Sequence, residues 1–207
     1  LTMKASEEIS QPTIEFKSGG DSISDSSINY INTNTDTYEW TASYVVSGSD
    51  TNGLVSFTID YQDVAGNSGT PVTEADSSVT IDLVDPSMVE VSIISEDQYS
   101  KNDSLATTGD TVTLTMVASE DIYRPTVDFF SDSSSINNSV SYYDSSGVEI
   151  DDQDITTLSQ SWTASYTVNS DDEDGDVSFT IDYQDIAGNS GTQSNAVTDE
   201  SSVTVDT

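Results

Sequence analysis

The fourteen-residue stretch FTIDYQDVAGNSGT at residues 57 to 70 returns at 179 to 192 as FTIDYQDIAGNSGT, with Ile186 for Val64 the one change. Self-similarity at a fixed spacing constrains a chain more than any other feature, because each copy must fold into the same unit. The likeness extends well beyond this phrase. LTMKASEEI at 1 to 9 answers LTMVASEDI at 114 to 122, PTIEF at 12 to 16 answers PTVDF at 125 to 129, and WTASYVV at 40 to 46 answers WTASYTV at 162 to 168. The spacing is 113 residues at Leu1/Leu114, 122 at Trp40/Trp162 and 124 at Ser77/Ser201, so the copies differ by insertions of nine and two residues. A repeat of about 124 residues far exceeds the roughly 20 to 50 of a solenoid unit and suits a domain that folds by itself.

The copies place one module at 1–84 and a second at 85–207. The first opens in the middle of a strand whose counterpart begins near Asp110, and nothing in it matches Met88 to Gly109. The plainer reading is a stretch of a longer array with the first strand lying outside it. The alternative is that a neighbouring chain supplies that strand by β-augmentation, which would make the chain a polymer subunit.

Within each copy the apolar residues alternate at period two. Val177, Phe179, Ile181 and Tyr183 share one face while Ser178, Thr180, Asp182 and Gln184 share the other. Val112, Leu114, Met116 and Ala118 form a second such face, and Trp162, Ala164, Tyr166 and Val168 a third. One apolar and one Ser/Thr-rich face per strand predicts antiparallel sheets packed face to face. Strands are expected near 88–95, 110–118, 125–130, 161–168, 177–184 and 202–206, with one or two weak ones between 139 and 151. Seven or so strands in about 120 residues predict an all-β fold of tandem immunoglobulin-like antiparallel β-sandwiches.

The blocks GDTVTLT-x-x-ASE, WTASY, VSFTIDYQD-x-AGN and SSVTVD resemble the Ig-like tandem repeats of large bacterial and marine-microbial surface proteins: adhesins, surface-layer proteins and appendage fibres. The resemblance covers nearly the whole chain. It implies an extracellular, cell-surface protein with no enzymatic activity of its own.

Composition narrows the chemistry. Four Lys plus Arg stand against 38 Asp plus Glu, with no His and no Cys, for a net charge of −34. Such a surface repels nucleic acid and anionic membranes, which require cationic contacts. Lack of Cys removes thiol and disulfide chemistry, and lack of His removes the commonest general base and metal ligand. No nucleophile–His pair, phosphate loop or zinc spacing occurs, and the acids fall in turns and on wet faces rather than in apolar pockets suited to acid–base work. A self-repelling charge of this size needs salt or divalent cations to screen it. Dispersed surface charge in a saline exterior would satisfy that need without any specific site.

A specific site is also predicted. In a sandwich of this topology the loop after the strand near 110–118 and the loop after 177–184 share a pole with the start of the module. That brings together Glu120, Asp121, Asp185, Asn189 and the linker residue Asp85, with Asp82 arriving from the preceding module. The first copy repeats the loop parts as Glu7, Glu8, Asp63 and Asn67. Ca²⁺ takes about six to eight oxygens from carboxylates, amides and carbonyls, and extracellular modules hold it with Kd on the order of 0.1–1 mM. An ion shared at each joint would stiffen the string into a rod. Ala-Gly-Asn is at the same time a natural tight turn, with Gly for positive φ and Asn to cap the loop. Asp60 and Asp182 are read as solvated, and DDEDGD at 171–176 as an acidic hairpin turn.

The copies diverge most between Lys17 and Glu39 and between Ser131 and Ser161. Loops on a rigid sandwich are the usual seat of recognition, so a glycan- or surface-binding adhesin module is the alternative function. Two roles are open to Tyr30, Tyr142 and Tyr143 there: stacking on sugar rings, or packing on an edge strand. Asn102 and Asn137 head N-x-S triplets that fit glycosylation of a secreted protein. Expected partners are neighbouring modules of the chain and other copies of itself in a fibre.

Overall fold

A computed structural model describes residues 1–24, 27–96, 102–136, 138–151 and 154–207. The chain divides into two units, Leu1–Leu83 and Val84–Thr207. Among the described residues no helix is long and apolar enough to cross a membrane.

The first unit contains β1 (Thr2–Lys4), β2 (Thr13–Ser18), β3 (Asp21–Ser22), β4 (Asn29–Asn34), β5 (Glu39–Ser43), β6 (Gly53–Asp60) and β7 (Thr80–Ile81). They form two antiparallel sheets, ordered β1-β5-β4 and β3-β2-β6-β7. Ile14 and Phe16 of β2, Ala42 of β5 and Ile59 of β6 bury their side chains with Ile28, as the alternation requires. Phe16 meets Tyr44 with ring centroids 5.2 Å apart.

The second unit contains β8 (Met88–Glu96), β9 (Leu105–Ala106), β10 (Thr111–Tyr123), β11 (Thr126–Ser131), β12 (Ser134–Ser135), β13 (Ser141–Tyr143), β14 (Glu149–Ile150), β15 (Leu158–Thr167), β16 (Gly175–Asp182) and β17 (Thr204–Val205). The sheets run β14-β13-β15-β10-β8 and β12-β11-β16-β17-β9. Among the described residues every pairing of these strands is antiparallel except β17 with β9. This is an immunoglobulin-like sandwich. Val112, Leu114 and Met116 of β10, Trp162 and Tyr166 of β15, and Phe129, Phe179 and Ile181 of the facing sheet close its core. Phe129 meets Tyr166 across the sheets at 4.8 Å between centroids. Each such side chain contributes roughly 1.5–3 kcal/mol by leaving water.

The structure corrects one strand boundary and shows how the tyrosines pack. The strand expected to stop near residue 118 continues to Tyr123, because Ile122 extends the buried series Val112, Leu114, Met116, Ala118 and pairs with Ser159 beyond a register shift after Val117. Glu120 and Asp121 therefore lie in a strand, not a loop. Tyr142 is a core residue: its hydroxyl accepts the Val127 N–H at 3.0 Å and the Arg124 guanidinium sits 4.4 Å from its ring centroid. Tyr30 plays the matching part, accepting the Ile14 N–H at 3.1 Å. Tyr30 is half-buried in β4 and Tyr143 half-buried in β13.

Candidate metal site

The phrase shared by the two copies encodes one local device. Along β16 the inward series Phe179, Ile181, Tyr183 runs on past the strand end, so that Asp185 falls on the core-facing parity and is 0% exposed. The chain then turns through Gly188, whose φ of +92° favours glycine. Asn189 closes the turn: its backbone N–H and its side-chain amide donate to the two carboxylate oxygens of Asp185, each at 2.8 Å. The Asp185 N–H returns a bond to the Asn189 carbonyl at 3.1 Å.

β10 passes beside this turn, with Ile122 bridged to Asp185 and the Tyr123 N–H donating to Gln184 O at 3.0 Å. Glu120 shares the inward parity of Ala118 and Ile122, half-buried, and one of its carboxylate oxygens lies within 4.8 Å of one of Asp185's. Asp121 has the opposite parity and is exposed. Asp85 is exposed before the buried Pro86. The structure thus brings together Glu120, Asp185 and Asn189, and not Asp121.

Ligand oxygens on opposite sides of one Ca²⁺, each about 2.3–2.6 Å from it, stand about 4.6–5.2 Å apart. The Glu120–Asp185 oxygens, no more than 4.8 Å apart, are close enough for one such ion to reach both, and the donor set is all oxygen, as a hard cation requires. Two like charges this close repel by about 4 kcal/mol at an effective dielectric near 20, so a cation between them would be stabilising.

In the first unit Asp63 and Asn67 repeat the turn, with Asn67 N–H and Nδ2 donating to Asp63 at 2.8 and 2.7 Å, and Gly66 at φ +92°. The Asn67 side-chain amide, then its backbone N–H, hold the Asp63 carboxyl below its ordinary value. Glu7 and Glu8 are exposed, and Glu7 lines the same groove as Asp63. Asp82 follows β7 and is half-buried.

Asp60 and Asp182 are exposed, and Asp182 accepts from Gln193 Nε2 at 2.9 and 3.1 Å. In the acidic turn Asp172 caps Asn169 N–H at 2.8 Å and accepts from Asn138 at 2.9 Å, while Asp174 accepts the Thr207 N–H at 2.8 Å. These carboxylates serve the turn. Asn102 lies exposed in a turn, its Oδ1 accepting from Ser104 Oγ at 2.8 Å; Asn137 lies outside the described residues.

Sequence reasoning missed Thr198 and Ser201. Their hydroxyls accept the Val91 and Ile93 N–H groups, each at 2.9 Å, and so hold the outer edge of β8. No period marks them, since both sit in an irregular stretch.

No family model matches the chain, and no curated protein does. Among solved structures it is similar to one of titin A168169, at 13% identity over 95% of this chain and 83% of that one, with a TM-score of 0.26. It is also similar to the C-terminal domain of the antigen I/II-family protein AspA of Streptococcus pyogenes, at 10% identity over the same shares, with a TM-score of 0.26.

Proposed function

We propose that the chain is a non-enzymatic structural repeat of an extracellular cell-surface fibre, filament or adhesin stalk, in which calcium binds beside the turn after β16. The observation that carries the calcium reading is the approach of the Glu120 and Asp185 carboxylates to within 4.8 Å, with Asp185 fully buried. A chain carrying −34 charges gains from placing a divalent cation there. In the fuller form that the sequence supports, the connector carboxylates Asp82 and Asp85 add oxygens and the ion restrains the link between modules. The structural role itself rests on the tandem sandwiches and on the near identity of their repeated segments, which serve length rather than chemistry.

The glycan-binding alternative has less support, because Tyr30 and Tyr142 spend their hydroxyls on backbone N–H groups of their own sandwich. The deciding experiment is thermal unfolding and small-angle scattering of the 207-residue protein in excess EDTA and in millimolar CaCl₂. Calcium is expected to raise the melting temperature and lengthen the particle. Superimposable curves in the two buffers would remove calcium from the reading; binding on a glycan array would replace the stalk by the adhesin module.

A further inference from the structure

Asn52-Gly53 is the one Asn-Gly pair in the sequence, and the repeat sets Asp174-Gly175 at the same place in the second unit. Both residues do the same work. Asn52 Oδ1 accepts the Leu83 N–H at 2.8 Å, just beyond β7, and Asp174 Oδ1 accepts the Thr207 N–H at 2.8 Å, just beyond β17. One position thus clamps the end of the last strand with an amide in the first unit and with a carboxylate in the second.

The surroundings of Asn52 favour attack on its side-chain carbonyl by the next backbone nitrogen. The residue is exposed, so water reaches it. The Leu83 N–H already stands at Oδ1, the oxygen on which negative charge develops when a nucleophile adds to Cγ, and a donor held there lowers the barrier. Glycine is fixed at the following position: Gly53 has φ +132°, and a Cβ would stand 3.0 Å from the Gly19 Cα, so no side chain shields the attacking nitrogen. One feature opposes the reaction. The Val55 N–H donates to Val79 O, which makes Gly53–Ile81 the next bonded rung of the ladder, and the Gly53 nitrogen is free to attack only when that rung opens.

We propose that Asn52 is a site of spontaneous deamidation. The Gly53 nitrogen bonds to Cγ, its proton passes through solvent to Nδ2, the Cγ–Nδ2 bond breaks and Nδ2 leaves as ammonia. Water then opens the five-membered imide at either carbonyl, giving an α-linked or a β-linked aspartate; one water is consumed and one ammonia released overall. The α-linked product is what the second unit already carries at this position, so the bond from the Leu83 N–H persists. The β-linked product lengthens the main chain by one methylene, which draws the acceptor away from Leu83 and Gly53 out of register with Ile81. The inference stands on this clamp and not on the calcium reading.

The test is incubation of the 207-residue protein and of the free peptide SDTNGLVSF (residues 49–57) in mildly alkaline buffer, followed by peptide mapping with mass spectrometry and by enzymatic methylation of β-linked aspartate. Asn52 is expected to convert more slowly in the protein than in the peptide, because of the rung, and severalfold faster than any other asparagine of the protein. The β-linked product, separated by chromatography, is expected to lose amide protection at Leu83. The Asn52→Asp protein, which has no ammonia to release there, is expected to keep it. Intact Asn52 after the peptide has converted, a rate no higher than at the other asparagines, or an unprotected Leu83 amide in a folded Asn52→Asp protein would overturn the proposal.

Discussion

Tyr183 fills the space that any side chain at Gly191 would enter: a Cβ there would overlap ring atoms Cε2 and Cζ and stand 2.7 Å from the Pro86 carbonyl oxygen. The Tyr183 hydroxyl in turn accepts the Met88 N–H, a bond that opposes the upward push of burial on its pKa. Glycine, tyrosine and the start of β8 thus form one clasp. Tyr61 covers Gly69 in the same way in the first unit. The recurrence of GNSG, with its second glycine eight residues after the tyrosine in each copy, follows from that overlap together with the Asp–Asn turn.

Replacing Gly191 by Ala is expected to destabilise the second unit by about 1–3 kcal/mol, since the buried tyrosine and a backbone carbonyl both resist displacement. Gly69→Ala is expected to cost less, because Tyr61 is half-exposed and can swing outward. Each unit has a single tryptophan, Trp40 or Trp162, so denaturation followed by fluorescence of Trp→Phe variants reports them separately. Equal losses in the two units would contradict the clasp.

The Glu120–Asp185 approach predicts a change of sign. In EDTA, Glu120→Gln relieves like-charge repulsion and is expected to raise the melting temperature of the second unit. In calcium it removes a ligand, so the calcium-induced rise seen in the parent protein is expected to shrink or vanish. Asp185→Ala behaves differently: it strips the Asn189 N–H and amide of their acceptor in a buried turn and is expected to cost about 1–3 kcal/mol in either buffer. Differential scanning calorimetry of the three proteins in both buffers separates these outcomes. A Glu120→Gln protein that melts lower in EDTA would refute the repulsion.

The fold is legible in the sequence wherever side chains alternate over several residues. Val112, Leu114 and Met116, or Phe179, Ile181 and Tyr183, declare a face by their spacing alone, and two copies of each motif exclude coincidence. Leu105–Ala106 and Ser134–Ser135 are not legible, because two-residue strands carry no period and exist only through their neighbours β17 and β11. The site is half legible. The turn Asp185–Asn189 follows from its residue types, but Glu120 reads as a loop acid since Ser119-Glu120-Asp121 looks like a strand end. What keeps that stretch extended is Ile122, whose burial lies on the far side of three polar residues. For Tyr142 the sequence leaves packing and stacking both open, because nothing in its own segment reveals the Val127 N–H that its hydroxyl accepts.

Acid pH provides a local test at Asp154. Its carboxylate accepts Thr157 Oγ1 at 2.6 Å and both the Thr156 N–H and Oγ1 at 2.8 Å, and these bonds, that from Thr157 Oγ1 foremost, lower its pKa from the ordinary 3.8 to about 2. A pKa lower in the folded than in the unfolded chain means that the bonds stabilise the fold fully above the ordinary carboxylate value and cease to do so as pH falls through about 2. The stability difference between the parent and Asp154→Asn is therefore expected to be constant above about pH 5 and to vanish near the folded pKa. Carboxyl carbon shifts followed by NMR from neutral to acid pH measure the midpoint directly; a midpoint at the ordinary value would refute the turn geometry.

Tyr166 sets the last expectation, one in which removing an atom helps. Its ring is buried against Phe129, yet its hydroxyl has no hydrogen-bond partner among the described residues. Burial, and then the charge of Asp172, push its pKa well above the usual phenol value, which is the mark of a hydroxyl kept from water. Burial of a polar group without a partner costs free energy that an apolar isostere does not incur. Tyr166→Phe keeps the ring contact and is expected to leave stability unchanged or raise it by up to about 1 kcal/mol, measured by urea denaturation with Trp162 as the probe. A loss of more than about 1 kcal/mol would show that the hydroxyl is bonded after all, and would move it from the cost side of the core to its support.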